Sequence, residues 1–201
     1  MKTARYYGIE DIRYEELPVP NCGEKDVLIK VAYAGICGSD LHIYKKGMFI
    51  QNIPETMGHE FSGTVIKTGS KVHSLQAGDR VTANPMVTCG NCIACRTGHL
   101  GSCETLGFIG EVRPGCFAEY IALPQEDVIK APPDIDLKKL ALAEPLAVEM
   151  FNQMEPGMLD GSMIQFVYGM TLAELIGAAP QAKPMYEAVV NALNAECKIN
   201  K

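Results

Sequence analysis

The spacing Cys89-x2-Cys92-x2-Cys95-x7-Cys103 packs four of the chain's eight cysteines into fifteen consecutive positions. No other stretch restricts the fold as tightly. A two-residue gap lets a tight turn aim neighbouring sulfurs at one centre, and Gly90, Gly98 and Gly101 give the backbone freedom to wrap it. The segment predicts a closed loop around a tetrahedral zinc. Four thiolates leave no open coordination position, so that ion would hold the loop together and would not touch a substrate. Two local disulfides, free thiols and an iron-sulfur cluster are the competing uses of such a loop. The N-terminus "MKTARYYGIEDIRYEEL" lacks the apolar run of a secretory leader, and no later run approaches the roughly 20 residues of a membrane helix. The expectation is a soluble, cytoplasmic chain, where disulfides are disfavoured and clustered cysteines point to metal. His99 lies inside the loop, but four sulfurs already fill the centre, so it is expected at the surface.

Around this loop, residues 1 to 130 read as short strands with turn punctuation. "DVLIKVAYAGI" (26–36) mixes alternation with β-branched residues and stops at "CGSD". "EFSGTVIKTG" (60–69) is strand-like, "AGDRV" (77–81) is a turn feeding a strand, and "GCFAEYIALP" (115–124) and "DVIKAP" (127–132) complete the set. With 19 glycines and 12 prolines, the chain is expected to be mainly β with a few helices, as a partly open antiparallel barrel carrying long functional loops. A net charge of −6 with no Lys/Arg cluster argues against nucleic acid or an anionic membrane as partner.

At "APPDIDLKKLALAEPLAVEM" (131–150) two prolines precede a helical run whose plausible cap is Asp136. "FNQMEPGMLDGS" then reads as loop and "MIQFVYGM" as a strand. "TLAE" has capping-box spacing, with Thr171 as cap and Glu174 three residues on, before a short helix ending at Gly177. "PMYEAVVNALNAEC" offers a terminal helix with Met185, Val189 and Leu193 on one stripe. The division expected is a zinc-binding domain over 1–148 and a short, helical tail over 149–201.

A second constellation is spread through "GICGSDLHIY" (35–44), "PETMGHEFSG" (54–63) and "LAEPLA" (142–147). Cys37, His59 and one carboxylate from Glu60 or Glu144 make a mixed S, N, O set that suits a catalytic zinc with an open position. Taken singly, each has an ordinary use: a buried thiol, a core histidine, a helix-end carboxylate. Asp40 fits either a turn cap or a group orienting a ligand histidine. His73, on a polar loop, is given no role.

In the order CGSDLH, GHEFSGTV, AGDRV, the four-cysteine loop, GCFAEYIALP and LAEPLAV, residues 1 to 148 resemble the catalytic domain of the zinc-dependent medium-chain alcohol dehydrogenases. The glutamate in "AEPLA" is similar to the polyol, butanediol and threonine dehydrogenase branch. The resemblance implies a GroES-like barrel and two zinc ions per chain. It implies Cys37, His59 and Glu144 as catalytic zinc ligands, with Glu60 as alternative or exchanging ligand, and Cys89, Cys92, Cys95 and Cys103 as the structural set. It also implies Ser39 and His42 as a proton relay, a small-molecule alcohol as substrate, and NAD(P) as hydride acceptor.

Two features depart from that pattern. Cys116 stands in "RPGCFAEY" where a second glycine is expected, which could crowd the turn. The nucleotide-binding signature G-x-G-x-x-G is not found after residue 148, where Gly157, Gly161, Gly169 and Gly177 are never two apart. The expectation is therefore a dehydrogenase catalytic domain whose cofactor domain is absent, in a shortened, rearranged or engineered product. It would be completed by a partner bearing that domain, or form a homo-oligomer through the face left bare. The alternative is a non-enzymatic zinc-binding or interaction module.

Overall fold

The computed structural model describes residues 1–154, and side chains through Val148. The strand, capping box and helices expected between Glu155 and Lys201 lie outside the described residues.

The chain opens with a hairpin of β1 (Lys2–Gly8) and β2 (Asp11–Glu16), followed by β3 (Asp26–Ala34), α1 (Gly38–Lys46), β4 (Glu55–Thr56) and β5 (Phe61–Thr68). Then come β6 (Arg80–Ala83), β7 (Met86–Val87), α2 (Ile93–Arg96), β8 (Gly107–Phe108), β9 (Tyr120–Pro124) and β10 (Val128–Lys130). Two helices, α3 (Leu137–Leu140) and α4 (Ala143–Met154), follow. The main sheet runs β10-β6-β5-β3-β9, a smaller one runs β2-β1-β4, and β7 pairs with β8 alone. Every strand pairing among the described residues is antiparallel. A bridge between Thr3 and Ala118 ties the small sheet to the approach of β9, and the sheets stay open as a partial barrel.

Side-chain alternation decides which face is buried. On β9, Ile121 and Leu123 are buried while their neighbours Tyr120 and Ala122 are only half-covered. They meet Val27 and Ile29 of β3, Phe61 and Val65 of β5 and Val81 of β6 in one core that also takes in Met57 and Phe117. Each such side chain contributes about 1.5–3 kcal/mol by leaving water. Asp136 caps α3 as expected, its Oδ1 accepting the Lys138 N–H at 2.9 Å.

One stretch carries a helix that the sequence reading left unassigned, and another differs from it. The strand reading stops at "CGSD", yet Gly38–Lys46 is a helix, closed by Gly47 in the left-handed region (φ 64°) with its N–H on the Ile43 carbonyl. Ile43 and Tyr44 are buried, so tertiary packing supports the short helix. "FNQM" begins a predicted loop but continues α4, because no glycine or proline interrupts residues 146–155. No helix among the described residues is long and apolar enough to cross a membrane.

Candidate metal centres

β7 and β8 pair Met86 with Phe108 and Val87 with Gly107, and this two-stranded clasp frames the cysteine lobe. Within residues 88–106 only Cys103 is buried, so the lobe has almost no apolar core of its own. Its order comes from the sulfurs. The four Sγ atoms all lie within 4.8 Å of one another. Cys89 and Cys95 sulfurs are 3.9 Å apart and those of Cys92 and Cys95 3.5 Å apart. These spacings lie near the edge of about 3.8 Å that a ZnS4 tetrahedron requires and far beyond a disulfide bond. Backbone N–H groups point at sulfur: Cys92 donates to Cys89 Sγ (3.3 Å), Cys95 to Cys92 Sγ (3.4 Å) and Cys89 to Cys103 Sγ (3.4 Å). Such donors favour the thiolate: those of Cys95 and Glu104 hold Cys92 below the usual thiol range, and those of Cys89 and Thr105 pull Cys103 down to about 6. Burial, with the hydrogen bond to Cys92, pushes Cys95 up to about 11. The donor set fits a closed tetrahedral ion. His99 is exposed, its Nδ1 3.2 Å from the Thr97 hydroxyl, and His73 is exposed as well.

The second centre is built by strand register. Ala34 of β3 faces Phe61 of β5, and the pairing runs one step further as the Gly35 N–H donates to the Glu60 carbonyl at 2.7 Å. The chains leaving the two strands therefore travel together, and Cys37 meets His59 and Glu60. One donor atom from each lies within 4.8 Å of the others. Cys37 precedes the first turn of α1, where its N–H donates to Asp40 Oδ2 at 2.8 Å. Asp40 is buried beside His59, and its Oδ1 has no hydrogen-bond partner among the described residues. Ser39 and His42, three apart on α1, share a face and are half-buried. Glu144, on the first turn of α4, falls outside the compact trio but is near enough for its charge to act on His59. A cavity of about 440 Å³ reaches Glu144, lined also by Thr82, Asn84, Met86, Phe108 and Ile129.

Acid dominates this centre. Burial pulls the His59 imidazole down, yet the hydrogen bond its protonated ring donates to Cys37 and the charges of Asp40, Cys37 and Glu144 outweigh it and push it up to about 10. Burial lifts Glu60 to about 7 against the pull of His59, and also raises Asp40 and Glu144. One imidazole thus faces several buried or half-buried carboxyls and a thiol. A dication would neutralise that excess, and a thiol, an imidazole and a carboxylate are the donors a zinc with an open position takes.

Sequence reasoning missed Glu111. Its carboxyl is raised by burial, and the charges of His59 and Asp40 both reach it. The residue is placed by a contact between segments some fifty positions apart: a Cβ on Gly110 would lie 2.7 Å from the Gly58 nitrogen. Only the "GEVRPGC" glycines, spaced for close backbone approach, hinted at it. Cys116 fits without distorting its turn. Its N–H donates to the Gly58 carbonyl at 2.9 Å, and its sulfur sits 3.7 Å from the Glu60 carbonyl in space that position 58 leaves free by lacking a side chain.

Residues 23–133 match the alcohol dehydrogenase GroES-like domain family. An L-threonine 3-dehydrogenase of Legionella pneumophila is 42% identical over 134 residues, covering 65% of this chain and 39% of its own. A sorbitol dehydrogenase of Bacillus subtilis is 36% identical over 183 residues, covering 89% and 52%. The crystal structure of 2R,3R-butanediol dehydrogenase from Bacillus subtilis superposes with a TM-score of 0.70 at 36% identity, over 77% of this chain and 47% of that one. The chain thus spans about half the length of the curated relatives it matches. With the family pattern matched over more than half its residues and the fold shared, the chain belongs to the zinc-dependent medium-chain alcohol dehydrogenase family through its GroES-like domain.

Proposed function

We propose that residues 1–148 form the catalytic domain of a zinc-dependent dehydrogenase that oxidises a secondary alcohol of the polyol, butanediol or threonine type to a ketone, with NAD(P) as hydride acceptor. The observation that carries the reading is the convergence of Cys37, His59 and Glu60 within 4.8 Å, in a buried pocket richer in acid than in base. These three, with Glu144 to hand, would hold a zinc ion, which when bound would supply Lewis acidity to a substrate hydroxyl. Ser39 takes the proton that leaves that hydroxyl, and His42, one turn along the same face of α1, hands it to water. Asp40 fixes the start of α1 through the Cys37 N–H and balances charge on His59. Glu60, with Glu144 close enough for its charge to act on His59, would offer the carboxylate donors beside Cys37 and His59. Cys89, Cys92, Cys95 and Cys103 hold a second, structural zinc. The nucleotide-binding fold falls outside residues 1–148.

Metal analysis is the first test. Two clusters predict two zinc ions per chain, and His59→Ala is expected to leave about one. NAD(P)-linked oxidation of 2,3-butanediol, sorbitol or threonine above a Cys37→Ser control supports the enzyme. Freshly purified protein without zinc overturns the reading, and zinc-replete protein that neither binds these alcohols nor oxidises them marks a non-enzymatic zinc-binding module.

A further inference from the structure

Cys116 belongs to neither cluster of metal donors, yet it stands at the joint of the second one. The segment 115–117 lies along 56–58 through backbone bonds. The Gly115 N–H donates to the Thr56 carbonyl at 2.7 Å, that of Cys116 to Gly58 at 2.9 Å and that of Phe117 to Met57 at 3.0 Å. These bonds need no particular side chain at 116. The thiol carries the contact two residues further, its Sγ donating to the Glu60 carbonyl at 3.7 Å. Backbone and side chain of one residue thus grip the chain on either side of His59. Cys116 is fully buried in the apolar core, where a thiol keeps its proton and acts as a weak donor.

The same Glu60 carbonyl also accepts the Gly35 N–H at 2.7 Å, from the segment that runs on to Cys37. A carbonyl oxygen has two lone pairs, and here one takes the strand end leading to Cys37 and the other takes Cys116. The Glu60 carboxylate lies over Gly35, where an added Cβ would stand 2.3 Å from Oε2. Gly58 completes the arrangement, since a Cβ there would stand 2.9 Å from Cys116 Sγ; the thiol reaches Glu60 past a glycine.

We propose that Cys116 is a positioning residue for the metal centre: its thiol fixes the Glu60 backbone against Gly35, and so holds the Glu60 carboxylate and the His59 ring toward Cys37. The assignment rests on the metal-centre reading above and adds a residue that touches no metal. Groups that hydrogen-bond around a metal site typically carry 10–100-fold in metal affinity, and a thiol is a weak donor, so about tenfold is expected here.

The test loads the full chain with cobalt(II), whose absorption reports thiolate ligands, and withdraws the ion with a chelator of known affinity. Cys37→Ser marks the transition that belongs to the Cys37 centre, and the four-cysteine lobe serves as internal reference. Cys116→Ala is expected to weaken the Cys37 centre about tenfold and to shift its visible bands while the lobe is unchanged. Cys116→Ser, which restores a donor, is expected to stay within about twofold of wild type. Cys116→Gly lacks donor and bulk alike and is expected to lose at least as much as alanine; it is the donor-free variant to read if Cys116→Ala does not fold. Wild-type affinity in the donor-free variants overturns the role of Cys116, as does an equal loss in serine and alanine, which assigns the effect to volume alone; either result leaves the metal centre standing. A cobalt titration that Cys37→Ser does not change overturns the metal centre itself and this inference with it.

Discussion

Gly58→Ala separates the two demands made at the residue that presents His59. Gly58 has φ 91°, where a side chain costs about 1–2 kcal/mol in backbone strain. An added Cβ would also stand 2.5 and 2.6 Å from two ring carbons of Phe117 and 2.9 Å from Cys116 Sγ, all buried. Overpacking of that kind adds about 1–3 kcal/mol, so the whole loss is about 2–5 kcal/mol. Gly78 supplies the control, with nearly the same φ of 94° but no atom within 4 Å of its hypothetical Cβ. Gly78→Ala should therefore cost only the strain, about 1–2 kcal/mol. Urea unfolding at saturating zinc measures both, the midpoint shifting at constant slope if the native fold is kept. Gly58→Ala should in addition loosen His59 and reduce bound zinc from two ions toward one, while Gly78→Ala retains both. Equal losses in the two variants would refute the contact argument, and full zinc in a destabilised Gly58→Ala would refute the link between this turn and the metal pocket.

Cys92→Ser should remove one zinc and unravel residues 88–106 locally, since only Cys103 is buried there. Limited proteolysis should then cut inside the clasp while the far-ultraviolet spectrum of the main sheet persists, and protection equal to wild type would count against the staple. Asp79 accepts from the Gln76 N–H at 2.9 Å and pairs with Lys130 at 2.8 Å; burial raises its carboxyl, but these partners outweigh it and hold it below the usual range. A depressed folded-state value adds stability above the unfolded value and loses it as pH falls through the folded one. Asp79→Asn should therefore cost about 0.5–1 kcal/mol at neutral pH, with the difference vanishing in acid below about pH 4. A difference that is constant with pH would refute the electrostatic assignment.

The parts of the molecule governed by local chemistry were legible in the sequence. β3 and β5 announced themselves by β-branched runs and Asp136 by its side chain at a helix start, and the lobe by cysteine spacing alone. α1 was not, because "CGSD" carries turn residues and the support for the helix is the burial of Ile43 and Tyr44 against distant strands. Its sequence did carry quieter signs: acidic Asp40 in the first turn, Lys45 and Lys46 in the last, and Gly47 just beyond. The metal residues could be named from motifs, but that Glu60 joins Cys37 and His59 while Glu144 stands outside the trio depends on strand register. Glu111 was invisible because its neighbourhood is made by Gly110 lying on Gly58.

The antiparallel alignment of β3 with β5 fixes two things with one set of hydrogen bonds. It turns Val27 and Ile29 toward the core, and it carries Cys37 to His59 and Glu60. Sliding one strand by a residue would bring the apolar side chains out into water and pull the thiol away from the imidazole at the same moment. A wrongly aligned copy therefore cannot persist as a sturdy but inert impostor. Metal competence and structural soundness are checked by a single act of pairing, so the fold proofreads its own chemistry.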